Sequence, residues 1–305
     1  MKNQTQIERL LQSEVIMVSG GTAQVADIPL RIPMRLPFAE IFSRPSGIVR
    51  IRVSHAGRES NGYGEGATLP KPLFTDDSGE TIAEVGQKII NEISWRSMNL
   101  GEIREAIQSV KFANEKQFPT ARMMVEMAVL DGVAKAKGTS TGALFGISNN
   151  VSEVPFGKSI GGGTTDEIMK EAVSSVESGA KKIKIKITPK TAHDVIDAVH
   201  HLKEEFADLE LMIDANGTFN PSVHAHLDLL READDLGLIM IEEPVSRTGD
   251  IRGIEAVRKL RNIIQFKTPI CLDDCLTDLP TTQAALSEGL ADIVNIKPGR
   301  IGSII

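Results

Sequence analysis

Lys182-Ile183-Lys184-Ile185-Lys186-Ile187 is the stretch whose reading decides the fold. Successive side chains on a strand point to opposite faces, so the isoleucines share one face while Lys184 and Lys186 share the other. Read alone, the basic face is as well explained by solvent as by a site. What lies downstream separates the two. Asp214, Glu242, Asp273 and Lys297 close further short apolar runs at 209–214, 238–242, 269–273 and 293–297. They follow Lys186 at intervals of roughly 30 residues, the length of one strand–helix unit in a (β/α)8 barrel. In such barrels the C-terminal strand ends carry the active site, so one charged residue per unit describes a ring around one cavity.

The intervening segments support that reading. A helix is expected after Thr164, with Glu167 three residues on as a capping box and Gly179 as its stop. Helices are also expected over 192–206, from Asn220 as N-cap with Pro221 at its first position, and over 251–262 and 281–289. A strand at 154–160 opens the series. The alternation stops at the sixth strand, roughly 60 residues short of eight units, so an incomplete barrel of strands 1–6 over 151–305 is expected.

Upstream the pattern changes. Residues 1–20 read as an N-terminal extension and 21–150 as an α+β module. The module has strands at 22–35 and 47–55, a glycine-rich turn at 62–66, and helices at 80–94, 100–111 and 120–137, the last closed by Gly138. The fold class is therefore α/β: an α+β capping domain and a TIM-like barrel.

The bulk properties bound the function. The 305 residues are 41% hydrophobic, enough for a sizeable core, with a net charge of −7 and a pI near 5.5. No concentrated basic face suits nucleic acid. No run approaches the roughly 20 apolar residues of a membrane span. The first residues lack the continuous apolar core of a secretory signal, and the two cysteines, Cys271 and Cys275, give neither a disulfide framework nor a multi-cysteine zinc pattern. A reducing cytoplasm is the default expectation, and nothing in the sequence opposes a homo-oligomer.

Strand parity turns the ring into chemistry. It places Asp214 with Met212, Glu242 with Met240, Asp273 with Cys271 and Lys297 with Asn295 on the inner face. Any one acid at a strand end is more often a turn former than a ligand. Three in register point to a hard divalent cation, Mg²⁺ or alternatively Mn²⁺, held by Asp214, Glu242 and Asp273. A cation between lysines suits loss of a proton alpha to a substrate carboxylate, with Lys186 as the base and Lys297 opposing it as acid or electrostatic partner.

At these positions the chain resembles the enolase superfamily, muconate-lactonising subgroup. The matching segments are 184–186, Asp214-Ala215-Asn216, Ile241-Glu242-Glu243-Pro244, Leu272-Asp273-Asp274 and 295–302, with 121–131 similar to the last helix of that family's capping domain. Within the subgroup, 295–302 is most similar to o-succinylbenzoate synthases and N-acylamino acid racemases. The resemblance implies Mg²⁺ on Asp214, Glu242 and Asp273, proton abstraction by Lys186 assisted by Lys184, and Lys297 against the enolate. It implies a dehydration in menaquinone synthesis or, as the alternative, racemisation of N-acylamino acids or epimerisation of dipeptides. The chain departs from the family at Asp274-Cys275, where Glu-Ser is usual and a supporting contact is shortened by a methylene, and at 216–219.

Several weaker signals complete the reading. The segment 38–46 with Arg44 stands where the family has a mobile substrate-covering loop, and Tyr63 or Glu65 are candidates to line the cavity. The run Ser159-Ile160-Gly161-Gly162-Gly163 is a candidate for an anionic substrate group. His193, His200, His201, His224 and His226 read as surface residues on outer helices. Two readings of other classes stand beside these: a metal-free aldolase with Lys297 as Schiff-base lysine, and an inactive, unclosed barrel whose sheet edge needs a partner.

Overall fold

The computed structural model describes residues 2–12, 15–36, 39–72, 75–147, 156–247 and 249–305. The chain forms two compact units, Met1–Ser152 with Lys297–Ile305, and Glu153–Ile296. The boundary expected at 150/151 lies outside the described residues.

The first unit is an antiparallel sheet covered by helices. Its strands are β1 (Ile16–Leu36), β2 (Ala39–His55), β3 (Arg58–Ala67) and the short β4 (Ser97–Met98), in the order β3-β2-β1-β4. Its helices are α1 (Lys2–Gln12), α2 (Ile82–Ile93), α3 (Leu100–Ser109), α4 (Pro119–Lys137) and α5 (Thr141–Leu144). Period 2 explains the layering: Val49, Ile51 and Val53 of β2 are fully buried, whereas Arg50 and Arg52 between them are exposed. The buried side joins Ile82, Ile89 and Ile90 of α2 and Met124 and Val125 of α4 in one core. Each such aliphatic side chain contributes about 1.5–3 kcal/mol on burial.

Three expectations are corrected here. Residues 62–66 are not a turn but the middle of β3. A Cβ on Gly62 would meet the carbonyl oxygen of Ala128 at 1.8 Å, and one on Gly64 that of Met124 at 2.0 Å. The alternate glycines thus let α4 lie directly on the strand backbone, and Tyr63 and Glu65 face solvent on the other side. Residues 1–20 are also more than an extension, since they hold α1 and the start of β1, where Ile16 pairs with His55 and Met98. Of the expected loop 38–46, Phe38 lies outside the described residues, and 39–46 belong to β2, with Arg44 paired to Ile28.

Helix α4 carries buried charge. Its N-cap, Phe118, has φ +48° and offers no side-chain cap. Buried Asp77 does that work from a distant loop, accepting from the backbone N–H of Thr120 at 2.9 Å and of Ala121 at 3.0 Å. Burial lifts the Asp77 carboxyl above its ordinary value, with the two backbone donors opposing. Arg122 donates to the carbonyls of Gln117 at 2.6 Å, of Val110 at 2.8 Å and of Ile107. At the other end of the helix Gly138, φ +70°, closes it as expected.

The second unit is a parallel sheet of β5 (Gly157–Ile160), β6 (Lys182–Lys186), β7 (Glu210–Asp214), β8 (Ile241–Glu242), β9 (Ile270–Leu272) and β10 (Ile293–Val294), each beside its sequence neighbour. Helices α6 (Thr165–Glu177), α7 (Ala192–Glu205), α8 (His224–Asp234), α9 (Ile254–Ile263) and α10 (Leu279–Ser287) connect them. Sequential parallel order with a helix in every crossover is the strand–helix architecture the sequence implies. Ile183, Ile185, Leu211 and Ile213 pack into the core with the helices, while Lys184 and Lys186 sit half-buried on the opposite face. The capping box of α6 is present, Thr164 N–H donating to Glu167 Oε2 at 3.0 Å.

Of the boundaries that differ from expectation, two change what the residues there do. Helix α8 begins at His224 rather than after Asn220. Asn220 instead accepts from Ser222 N–H at 2.9 Å, an Asx turn, and its own N–H donates to His226 Nδ1 at 3.0 Å. His226 is therefore half-buried against Phe219 rather than a surface residue. The sixth strand ends at Val294, and Lys297 caps the short helix α11 (Pro298–Ile301). Pro298, which has no N–H for a ladder, sits at the first helical position. Residues 297–305 belong to the first unit, where Thr120 Oγ1 donates to the Gly299 carbonyl at 2.9 Å and Gln108 Nε2 to that of Gly302 at 2.7 Å.

Candidate active site

The strand ends of the second unit gather charge in water-poor surroundings. Asp214 and Glu242 are register partners on β7 and β8, and each is 1% exposed; Asp273, just past β9, is 3% exposed. Charges this deep are stable only when paired. Lys184 Nζ lies 2.8 Å from Glu242 Oε2 and 3.1 Å from Asp214 Oδ2, bridging the two carboxylates. Lys186 Nζ pairs with Asp214 and donates to Asn216 Oδ1 at 2.7 Å. Asn295 Nδ2 donates to the second Glu242 oxygen at 3.1 Å.

Burial and charge pull these groups in different directions. For Asp214 burial is the largest single influence and acts upward, yet Lys186 and Lys184 together hold the carboxyl below its ordinary value. Glu242 is pushed up by burial and then by the Asp214 charge, with Lys184 and Asn295 pulling partly back. Burial would lower the Lys184 ammonium, but Asp214 and Glu242 outweigh it and the net direction is upward. Two lysines thus serve two carboxylates, and Asp214 receives the larger share.

A cavity of about 520 Å³ opens on this face, lined among others by Lys184, Met212, Met240, Glu242, Cys271 and Asn295. These are the inward positions that strand parity predicts. Ser159 also lines it. Gly162 has a structural use, because a Cβ there would stand 2.5 Å from the Lys186 carbonyl oxygen and push β6 and its lysines aside. Cys271 is a buried thiol, pushed up to about 12 by desolvation and then by the Glu242 and Asp273 charges, which disfavours the thiolate.

Sequence reasoning quoted Glu243 within a motif and gave it no task. It is fully buried, with φ +42°. Its carboxylate accepts from Asp273 N–H at 2.7 Å, Cys275 N–H at 2.9 Å and Ser246 Oγ at 2.6 Å, and Cys275 Sγ lies 3.4 Å away. Desolvation raises this carboxyl to about 7, against those donors. Glu243 therefore clamps the end of β8 to the turn that presents Asp273. Alongside it Arg247 Nη2 donates to Asp274 Oδ2 at 2.6 Å, tying the same two loops. The signal that could have found Glu243 is a second acid beside a strand-end acid, which parity places on the other side of the strand from Glu242.

The donor set suits a hard divalent cation: three buried carboxylates on successive strands, all oxygen. Asp214, Glu242 and Asp273 are the residues that would hold one. Among the described residues no group of three or more acidic, histidine or cysteine side chains is arranged, as it stands, so that it could hold a metal ion. The bridging ammonium of Lys184 supplies the charge balance between Asp214 and Glu242. The structure thus joins Lys184, Lys186, Asp214 and Glu242 by ion pairs and sets Asp273 at the next strand end. Lys297 is exposed and grouped with the first unit.

Comparison with known proteins bears on this arrangement. Residues 167–305 match the family described as Enolase C-terminal domain-like. Over 245 residues the chain is 29% identical to the o-succinylbenzoate synthase of Bacillus subtilis (strain 168), which covers 80% of this chain and 61% of that protein. It is 28% identical over 290 residues to the N-succinylamino acid racemase of Amycolatopsis sp, covering 94% of this chain and 73% of the relative. Among solved structures it is similar to the dipeptide epimerase from Enterococcus faecalis V583 complexed with Mg and the dipeptide L-Leu-L-Tyr, with TM-score 0.77 and 21% identity over 94% of this chain and 76% of that one. That last likeness concerns the fold. The chain spans less than two thirds of the length of the Bacillus subtilis relative.

Proposed function

We propose that the strand-end site, which lies in the stretch 167–305 that matches the enolase C-terminal domain-like family, removes a proton alpha to a carboxylate, in an o-succinylbenzoate synthase-like dehydration serving menaquinone synthesis. One observation carries the reading: Lys184 and Lys186 share a strand face and their ammonium groups meet Asp214 and Glu242, with Lys184 and Glu242 lining a cavity.

In this mechanism Asp214, Glu242 and Asp273 would hold Mg²⁺, whose positive charge would be supplied to the substrate carboxylate. The protein does the rest. Lys186, once it has given up a proton at Nζ, accepts the α-proton, and Asn216 directs the amine. Lys184 stays protonated between Asp214 and Glu242, and so keeps positive charge facing the developing enediolate. Met212, Met240 and Cys271 give the cavity an apolar floor that excludes water from the substrate body. Lys297 is assigned the opposing acid from its place in the 295–302 motif.

A second reading, racemisation of N-acylamino acids or epimerisation of dipeptides, is favoured by the racemase relative and shares the first step. The two diverge only in the fate of the carbanion: loss of water, or return of a proton to the other face.

The deciding experiment assays the purified protein, with Mg²⁺ and with chelator, for dehydration and for α-proton exchange of N-succinylamino acids in D₂O. Exchange that needs Mg²⁺ and falls about 10²–10⁴-fold in Lys186→Ala is expected. Turnover of neither substrate class, with no exchange, rejects both assignments. Reductive trapping of a carbonyl substrate on Lys297, insensitive to chelator, would establish the Schiff-base alternative instead.

A further inference from the structure

The solvent face of the antiparallel sheet holds a depression of about 250 Å³ lined by Ser19, Gly20, Thr22, Arg50, Arg52 and Asn61. A ladder irregularity makes it. β1 pairs with β2 in register to Val18↔Val53 and resumes at Gly21↔Ile51, so Ser19 and Gly20 stand opposite the single residue Arg52. Gly20 takes φ +109°, and a Cβ on Gly21 would lie 2.4 Å from the Arg50 carbonyl oxygen, so glycine is required at both.

The groups around this bulge are short of acceptors. Arg50 and Arg52 are two apart on β2 and therefore share a face. Arg50 Nε donates to Asn61 Oδ1 at 3.2 Å, which orients the guanidinium and keeps its terminal nitrogens for another acceptor. Among the described residues neither arginine forms an ion pair. The acids that share this face, Glu59 opposite Ser54 and Glu65 opposite Ile48, flank the depression along β3 without closing on it. The hydroxyl of Ser19 is shielded from solvent and has no hydrogen-bond partner among the described residues. Two like charges beside an unused hydroxyl, at a bulge that needs two glycines, is an arrangement that costs stability when empty.

We propose that this depression binds a small oxyanion of two negative charges, of the phosphate or phosphomonoester class. Two guanidinium forks present planar N–H pairs from adjacent positions, which match a tetrahedral oxyanion better than a single carboxylate. The hydroxyl of Thr22, exposed in the depression, is the neutral donor that completes its shell. The cavity exceeds inorganic phosphate and admits a short ester.

The test is calorimetric titration of the purified protein at low ionic strength with inorganic phosphate and, separately, with glycerol phosphate. Saturable binding at one site per chain is expected. It weakens with added NaCl and falls about tenfold or more in Arg52→Gln and in Arg50→Gln, each checked for fold by circular dichroism. Thr22→Val, which changes no charge, also weakens it, and Lys71→Gln, with the same charge change elsewhere, does not. Tighter binding of the ester identifies a monoester site and equal binding a free-phosphate site. Absence of saturable binding, indifference to salt, or an equal loss in Lys71→Gln overturns the proposal.

Discussion

Buried charge is handled in two ways in this molecule. Along α4 each buried charge is answered by backbone: Asp77 by two N–H groups, Arg122 by three carbonyls, and Glu126 by the N–H of Ile304 together with the Ser303 hydroxyl. At the strand ends of the parallel sheet the answer is another charge: Lys184 and Lys186 against Asp214 and Glu242. Backbone partners cannot leave without unfolding their elements. A side-chain ion pair can change partners while the sheet beneath it stands still. The first pattern builds architecture and the second keeps a site open to exchange. Glu243 lies within the site yet follows the first pattern, since its main partners are the N–H groups of Asp273 and Cys275.

The comparison predicts a ranking. The largest loss of stability is expected for Arg122→Ala, which strands three carbonyls in the core, at about 3 kcal/mol or more by urea unfolding. A cost below about 1 kcal/mol would mean that those carbonyls find other partners. Glu243→Ala comes next, at about 2–3 kcal/mol, because three donors lose their acceptor. The same variant should weaken Mg²⁺ binding measured by calorimetry, as the turn bearing Asp273 loosens. Glu243→Gln, which can still accept from both N–H groups, should recover most of that affinity.

Lys186→Met sharpens the contrast from the other side. Its side chain is 37% exposed, so unfolding stability should change by less than about 1 kcal/mol, while α-proton exchange falls by orders of magnitude. Equal losses in both would erase the distinction drawn between the two regions.

The smallest effect is a pH dependence. Burial raises the carboxyls of Asp77 and Glu126 above their ordinary 3.8 and 4.5. Stability from a raised carboxyl is fully present below those unfolded values and is lost as pH rises through the folded ones. Unfolding free energy measured from about pH 4 upward should carry a declining contribution from both groups, and Glu126→Gln should flatten its share. An unchanged slope in that variant would show that Ile304 and Ser303 hold the group ionised without strain.

The sequence made the parallel sheet legible because its signal is periodic. Alternating Lys-Ile at 182–187 and the recurring strand-end acids locate β6 to β9 and the inward set that lines the cavity, including Met212, Met240 and Cys271. What it hid was three-dimensional. The glycines at 62, 64 and 66 read as a turn because nothing local announces that α4 lies against them. Glu243 is invisible as a clamp because its positive φ and its partners 30 and 32 residues away leave no local trace. Likewise, strand pattern alone carries 293–297 through to Lys297, whereas Pro298 and the partners of 299–304 on the first unit end the strand at Val294.

Those last contacts carry a consequence for biosynthesis. Glu126 meets Ser303 and Ile304 across separations of 177 and 178 residues. As the chain leaves the ribosome, the first unit has its sheet and helices early, but this carboxylate stays without its backbone partner until residue 304 emerges. All of the second unit is made in that interval and is free to fold first. Closing so long a loop is a late event, slow on entropic grounds. Such a chain is expected to pass through a state in which the parallel sheet is native while the N-terminal unit still awaits its final segment.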